Sequence, residues 1–447
     1  MRFIGTELSE LERSLKDFSV EALAKYLNPS LIENALSQTG RGSKRIRKLP
    51  SAFVVWLIIC LGVFRRLSIQ NVVARLGKPL GGTELWEEEP SSAAVGKARD
   101  RVGIEPVCCV AGKLSELLKK RFGSQLCWRG MELLIIDGTT LKVQDSSENE
   151  KYFGRPGASR GRAGYPQMRA VFLLSATHRF VWEYCFAPYS TGEVTMAKEL
   201  IERVPAGSLV LLDRNFYAYK LLVRFLERGA HFVVRIKKNT AVRKLCRVGR
   251  GDYIVEFTVP RYLKRRNPVL PEKMVLRMLV IKRKGAETIY LLTSLTDPGI
   301  YRKSELSNLY LERWEIETSI DEVKTHQIEA TTVNRPVIFR SKSPERVLQE
   351  AHGLIIAYNL IHALIAEGAE RAEVEPARIS FVSALERVRE AIPRMASAPV
   401  RQLPRLYETL IKRISEAVLP ARRDRSNPRV VKVKMSPYKL RRPTDAA

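Results

Sequence analysis

Apolar residues recur at helical spacing through the first 130 positions. Leu8, Leu11, Leu15 and Phe18 stand three or four apart, as do Ile69, Val72, Val73 and Leu76, which predicts amphipathic helices. Between these two sets, residues 52–64 form an unbroken apolar run bounded by Arg47/Lys48 and Arg65/Arg66. A membrane span needs about 20 such residues, so a buried helix is expected here instead. The segment GKPLGGTELWEEEPSSAAV interrupts the region with Gly, Pro and Ser, and PSSAAVGKARDRVG then restarts a helix. That helix carries Lys97, Arg99 and Arg101, which suits either entry into a DNA groove or an ordinary solvated face.

From about residue 131 the pattern changes to strands. MELLIID is a short apolar run ending in Asp137, and Gly138-Thr139-Thr140 after it is expected to turn. MRAVFLLSA and HRFVWEYCFAPY follow at strand length, rich in β-branched and aromatic residues. GEVTMAKELIERV is predicted helical and leads into SLVLLD, a second apolar strand ending in Asp213. YKLLVRFLERGA is then a helix closed by Gly229. Alternating strands and helices predict an α/β core. Residues 230–300 break the alternation with the strand-like runs HFVVRIK, DYIVEFTV, MVLRMLVIK and IYLLTSL. After Pro298 helix is expected through Lys324, again over 344–367, and again near 375–417. The remainder reads as an extended basic tail.

Composition changes this picture in one respect. The 447 residues include 76 Lys and Arg against 48 Asp and Glu, a net charge of +28. Between Arg235 and Lys284 alone there are 16 cations and three acids (Asp252, Glu256, Glu272). A polyanionic partner follows, either nucleic acid or an anionic membrane surface. The N-terminal MRFIGTELSELERS carries acids where an export signal needs cations, so export is not expected. Six cysteines show no C-x-x-C pair and are expected to be reduced, buried core residues.

Candidate chemistry begins with Asp137 and Asp213, each at the end of an apolar strand, where α/β sheets gather functional groups. A carboxylate in that position can hold a divalent cation or simply make a turn. A third element is the predicted helix carrying Tyr310, Arg313, Glu317 and Lys324. Their spacings of three, four and seven place a phenol, a guanidinium, a carboxylate and an ammonium on one face about 21 Å long. Such a face suits a phosphodiester site; the plainer alternative is a surface helix with an Arg313–Glu317 ion pair.

With these residues in place the sequence resembles bacterial insertion-sequence transposases of the DDE class, specifically the insertion element four family. That family carries a Y-x2-R-x3-E-x6-K motif, matched without a gap by Tyr310, Arg313, Glu317 and Lys324. Its first acid lies in a strand-Asp-Gly-Thr context, matched by IIDGTT, and its second in a strand-Asp-Arg context, matched by LVLLDRNFY with Arg214 after Asp213. The likeness extends to RIRKLPSAFVVWLIICLGVFRRLS and SKSPERVLQEAHGLIIAYNLI.

The resemblance implies an RNase-H-like catalytic core at 131–330, with a basic β-strand insertion at about 230–300. A helical N-terminal DNA-binding region (1–130) and a helical C-terminal region with a basic tail (331–447) complete the expected organisation. It implies further that Asp137, Asp213 and Glu317 hold two Mg²⁺ ions, Mn²⁺ being possible, and that Tyr310, Arg313, Lys324 and Arg214 contact DNA. The implied activity is metal-dependent strand cleavage and strand transfer at terminal inverted repeats, by a homodimer bridging two double-stranded ends and joining them to target DNA. The expected location is the cytoplasm, at the nucleoid and not at a membrane. Alternatives are a catalytically silent DNA-binding descendant, a metal-dependent nuclease without strand transfer, and a basic RNA-binding protein. Some relatives cut through a DNA hairpin and stack a flipped base on a Trp of the insertion. No Trp occurs between Trp182 and Trp314, which leaves Tyr253, Phe257 or Tyr262 for that role. Asp297 is expected to make a turn, Asp145 to be solvated and His326 to lie at the surface, while for Asp321 a place behind the ligands is the lesser alternative to an ordinary helix-surface acid.

Overall fold

The computed structural model describes residues 20–43, 48–77, 86, 88–123, 127–158, 161–259, 261–266, 268–282, 287–311 and 338–420. Five helices come first: α1 (Pro29–Gln38), α2 (Ser51–Val63), α3 (Ile69–Leu76), α4 (Ser92–Val102) and α5 (Glu105–Phe122). Side-chain caps start three of them, from Asn28, Ser68 and Ser91, each accepting a first-turn amide that the helix leaves without a partner. Helix α2 is the apolar run, and all of its residues are buried. No helix among the described residues is long and apolar enough to cross a membrane.

The strands are β1 (Cys127–Trp128), β2 (Met131–Val143), the small hairpin β3 (Gly157–Ala158) and β4 (Gly161–Arg162), β5 (Gln167–Ser175), β6 (Val181–Pro188), β7 (Leu209–Leu212) and β8 (His231–Ile236). They continue as β9 (Arg243–Gly249), β10 (Asp252–Thr258), β11 (Lys273–Ile281), β12 (Ile289–Thr293) and β13 (Ile338–Phe339). Between them lie helices α6 (Ser147–Phe153), α7 (Glu193–Ile201), α8 (Tyr219–Glu227) and α9 (Arg261–Arg266), and after them α10 (Pro344–Ala372), α11 (Phe381–Ala396) and α12 (Leu403–Ser415).

One large sheet runs in the order β6-β5-β2-β7-β8-β12-β11-β10-β9, with β1 and β13 pairing at β2. Strands β2, β7 and β8 are parallel, whereas β5 and β6 are antiparallel to their neighbours. This is the expected RNase-H-like arrangement. The insertion does not form a separate body: β12 pairs β8 antiparallel, so β9–β12 prolong the same sheet. The helices from the two ends of the sequence pack together, because α10 lies against α2, α5 and α12 as well as β6 and β13. Helices α2 and α10 cross at glycines. A Cβ on Gly62 would come within 2.9 Å of Ala357 Cβ and the Gly353 carbonyl oxygen, and one on Gly353 would strike the Ile58 carbonyl oxygen.

Several expectations need correction. Gly138-Thr139-Thr140 is not a turn. Strand β5 pairs β2 from Leu134↔Ser175 to Lys142↔Gln167, well past the last β7 pair at Leu212, and so carries β2 on to Val143. Strand β9 and helix α9 had no expectation; all of β9 but its last residue is exposed and α9 buries nothing, so neither shows a one-sided apolar pattern. Arg99 does not face a groove. It is 2% exposed and donates to Gln349 Oε1, Ser341 Oγ and the Arg346 carbonyl. Cys127 and Cys246 are exposed rather than buried. After Pro298, helix is described over 303–311 only. Residues 8–18, Asp321, His326 and the tail beyond 420 lie outside the described residues.

Candidate active site

Asp137 lies within β2 and Asp213 directly follows β7, the parallel neighbour of β2. Strands β2 and β7 pair in parallel through Leu133↔Leu209, Leu134↔Val210, Ile135↔Leu211 and Ile136↔Leu212. Asp137 and Asp213 are the residues that follow the last of these pairs, Asp213 as the residue that opens the short turn after β7. Both residues are half-buried. Each carboxylate is oriented by the amide that follows it: Gly138 N–H donates to Asp137 Oδ1 at 2.7 Å, and Arg214 N–H donates to Asp213 Oδ1. The second contact also starts the short 3-10 turn Arg214–Phe216. Two carboxylates so placed are hard oxygen donors of the kind that Mg²⁺ or Mn²⁺ accepts.

The strand carrying Asp137 is backed by a polar pair that the sequence reading missed. Glu193, at the start of α7, reaches over Gly138, where an added Cβ would stand 2.9 Å from Glu193 Cδ and 3.1 Å from Cγ and Oε1. Glu193 is held there by Arg169 at 3.0 Å, and Arg169 also donates to the Tyr189 carbonyl from Nε and Nη2. A polar Arg within the apolar strand QMRAVFLLS was the available signal.

Tyr310 lies next to the second acid but not as a surface group. It is 3% exposed, and its hydroxyl donates to the Leu212 carbonyl at 3.2 Å. A phenol buried in this way packs the helical residues 303–311 against the end of β7 and does not offer its hydroxyl to a phosphate in solvent. Arg129, at the β1–β2 turn, grips Glu305 on the same helical stretch with two bonds of 2.9 Å. Arg313, Glu317 and Lys324 lie outside the described residues. Among the described residues no three His, Cys, Asp or Glu side chains gather closely enough to hold a metal ion.

Beyond Asp213 the surface divides into an aromatic and a cationic part. A cavity of about 560 Å³ is lined by Tyr217, Tyr219, Phe257 and Tyr262 with Lys198 and Lys220. Of the three proposed stacking rings, Phe257 is buried on Tyr219 at 5.3 Å and Tyr253 lies under the Lys244 ammonium at 4.3 Å. Tyr262 is well exposed. A second cavity of about 370 Å³, lined by Arg214, Arg235, Lys237 and Lys238, adjoins the first. Elsewhere, Asp297 makes the expected turn by accepting from the Gly299 and Ile300 amides. Asp145 is ion-paired with the buried Arg155, so plain solvation does not describe it.

The mixed sheet, with parallel β2, β7 and β8 flanked by antiparallel β5 and β6, is an RNase-H-like core, and comparison with known proteins gives its family. The Transposase DDE domain family matches residues 128–360, and the Insertion element 4 transposase N-terminal family matches 17–110. The chain is 30% identical over 434 residues to the Escherichia coli (strain K12) transposase InsG for insertion sequence element IS4, covering 96% of each protein. It is 28% identical over 249 residues to the putative transposase InsZ of the same organism, covering 55% of this chain and 80% of that one. Among solved structures, a piggyBac transposase synaptic complex with hairpin DNA matches loosely, with a TM-score of 0.41 and 11% identity over 91% of this chain and 86% of that one. The chain belongs to the insertion element four family of DDE transposases, and is thus a DNA-cleaving and strand-transferring enzyme.

Proposed function

We propose that this transposase cuts and joins double-stranded DNA at the terminal inverted repeats of its own element, with Asp137, Asp213 and Glu317 as the metal-holding carboxylates. The observation that supports this reading is the parallel register of β2 and β7 up to Ile136↔Leu212, the residues directly before Asp137 and Asp213. Tyr310 supports the assignment of Glu317, because its hydroxyl fastens the start of the Y-x2-R-x3-E-x6-K motif to the carbonyl just before Asp213. DDE transposases use divalent metal, and Mg²⁺ is the ion these oxygen donors suit best. When bound, a pair of such ions supplies activation of the attacking water or 3′-hydroxyl and stabilisation of the leaving oxygen. The protein's own part is to hold both carboxylates at fixed rotation through the Gly138 and Arg214 amides, so that little reorganisation accompanies binding. Arg214, Arg313 and Lys324 serve the flanking phosphates, Arg with a forked contact and Lys as a point charge. Tyr310 acts as a positioning residue. A net charge of +28 supports residence on nucleoid DNA, and two copies bridging two ends would form the active assembly.

The test is cleavage of a labelled duplex spanning the boundary between this gene's element and its flanking DNA, with Mg²⁺ and with EDTA. Wild type should nick at the boundary only with metal, while Asp137→Ala and Glu317→Gln should bind the duplex and cut at least about a hundredfold more slowly. Tight wild-type binding without any cut would instead indicate a silent DNA-binding descendant.

A further inference from the structure

We infer that the cationic pocket beside Asp213 is a seat for one backbone phosphodiester of the bound DNA strand, one or two nucleotides from the reacting phosphate, with Arg235 as its central contact. The inference rests on the transposase reading and adds a phosphate site to it.

The placement follows from register. Strands β7 and β8 pair in parallel through Leu209↔His231, Val210↔Phe232, Leu211↔Val233 and Leu212↔Val234. Arg235 is the residue that follows the last of these pairs on β8, as Asp213 is on β7 and Asp137 on β2. The three residues thus mark neighbouring strands at the same level of the sheet, with strand steps of about 4.8 Å. Two carboxylates that gather cations are followed at the next strand by a guanidinium that gathers anions. A strand of DNA whose reacting phosphate lies at the carboxylates must pass its neighbouring phosphates close to Arg235.

The surroundings of Arg235 fit a phosphate and not a base. The pocket holds about 370 Å³ and is bordered by Arg214, Lys237 and Lys238, with Tyr290 as a further polar neighbour. Lys237 and Lys238 are exposed, as is Arg214. The one acid lining it is Glu287, whose carboxylate bonds Arg235 at 2.8 Å while its own side chain remains 77% exposed. An ion pair with one partner almost wholly in water is weak and readily exchanged. Glu287 thus occupies, in the DNA-free protein, the position of a phosphate oxygen on Arg235. Replacing it by a phosphodiester adds the attraction of three further cations and releases counterions from the DNA. The aromatic cavity adjoining at Lys237 and Asn239 has the opposite lining, so base and backbone have separate places.

The experiment uses the full chain and a fluorescent duplex spanning the element boundary. Single neutral methylphosphonate linkages are placed in turn at each position within about three nucleotides of the cut. One linkage should weaken wild-type binding by about tenfold, the loss expected for a charge-assisted contact. The Arg235→Gln/Lys238→Gln variant should be insensitive at that linkage, remain sensitive at the others, and show a salt slope lower by about one to two. Glu287→Gln should bind about two- to fivefold more tightly, since the competing carboxylate is gone. If the double variant does not fold, Lys238→Gln and Glu287→Gln, both exposed, carry the same two readouts. Equal sensitivity of wild type and variant at every linkage, with unchanged salt slope and no gain from Glu287→Gln, overturns the pocket. Wild type failing to bind the boundary duplex at all defeats instead the proposal that the enzyme acts at these ends, and the pocket with it.

Discussion

Asp137 and Asp213 each follow the last pair joining β2 to β7, and the following amides fix the rotation of their carboxylates. Gly138 is part of that arrangement. Its missing Cβ leaves the space that Glu193 fills, and Glu193 cannot swing away freely while Arg169 holds it. Gly138→Ala is therefore expected to push either Glu193 off Arg169 or the strand end off its register. Cleavage should fall about tenfold, with about 1–3 kcal/mol of stability lost, and Gly138→Ala/Glu193→Ala should recover part of both. Boundary-duplex cleavage and thermal unfolding measure the two effects; an unaffected single variant would show that the side chain accommodates a methyl group. At this scale the acids were legible, since each ends an apolar run. The role of Tyr310 was not, because spacing along a helix says which residues share a face and not which way that face points.

Among the elements, α2 and α10 show how strongly distant segments depend on each other. The carbonyls near the end of α2 and just after it need donors, and one guanidinium supplies them: Arg340 donates to Leu61, Phe64 and Leu67 at 2.7, 3.1 and 2.8 Å. Arg340 directly follows β13, which pairs with β2 at Ile338↔Lys142 and Phe339↔Val143. Beneath it Glu350 of α10 is fully buried, facing Arg65, Arg99 and Arg340 at 3.7, 4.0 and 3.3 Å. Burial pushes the Glu350 carboxyl up, but Arg340, Arg99, Arg65 and the Ser341 hydroxyl together hold it below the usual carboxylate range. Glu350→Gln would leave three guanidiniums in a shared interior without their anion. A loss of about 3–5 kcal/mol is expected, read as a lower midpoint in chemical denaturation, and a loss under about 1 kcal/mol would mean water reaches the cluster. Helix α2 was legible as an unbroken apolar run too short for a membrane span, and α10 as a helical stretch over 344–367. Their partnership was not, because a buried Arg such as Arg99 looks in sequence like any other cation on a basic protein.

At the scale of the whole molecule, sheet and helices share one core, and two of its histidines, His178 and His352, are brought down to about 4 by burial. His178 packs on both Phe122 and Phe180, at centroid distances of 5.4 and 5.6 Å, and is brought down to about 4 by burial and then by His362. The unfolded chain takes up this proton near pH 6.5 and the folded one only near 4, so stability from the neutral ring is complete above pH 6.5 and is lost as pH falls toward 4. About 3 kcal/mol is at stake. His178→Phe should flatten the fall in unfolding free energy across that window; an unchanged slope would assign it to other groups. The α/β core and the place of the insertion were legible from alternating strands and helices. That the insertion continues the sheet was not, since strand pairing over such separations leaves no local mark.

The crossing of α2 with α10 also bears on how the protein is made. Helix α2 leaves the ribosome about 290 residues before the start of the helix that covers it. At roughly 5–20 residues per second, its apolar side chains wait some tens of seconds for that cover. During that interval the nascent chain depends on chaperones or on temporary collapse. The helical body of this DNA-cleaving enzyme therefore closes only after Asp137 and Asp213 have both been synthesised.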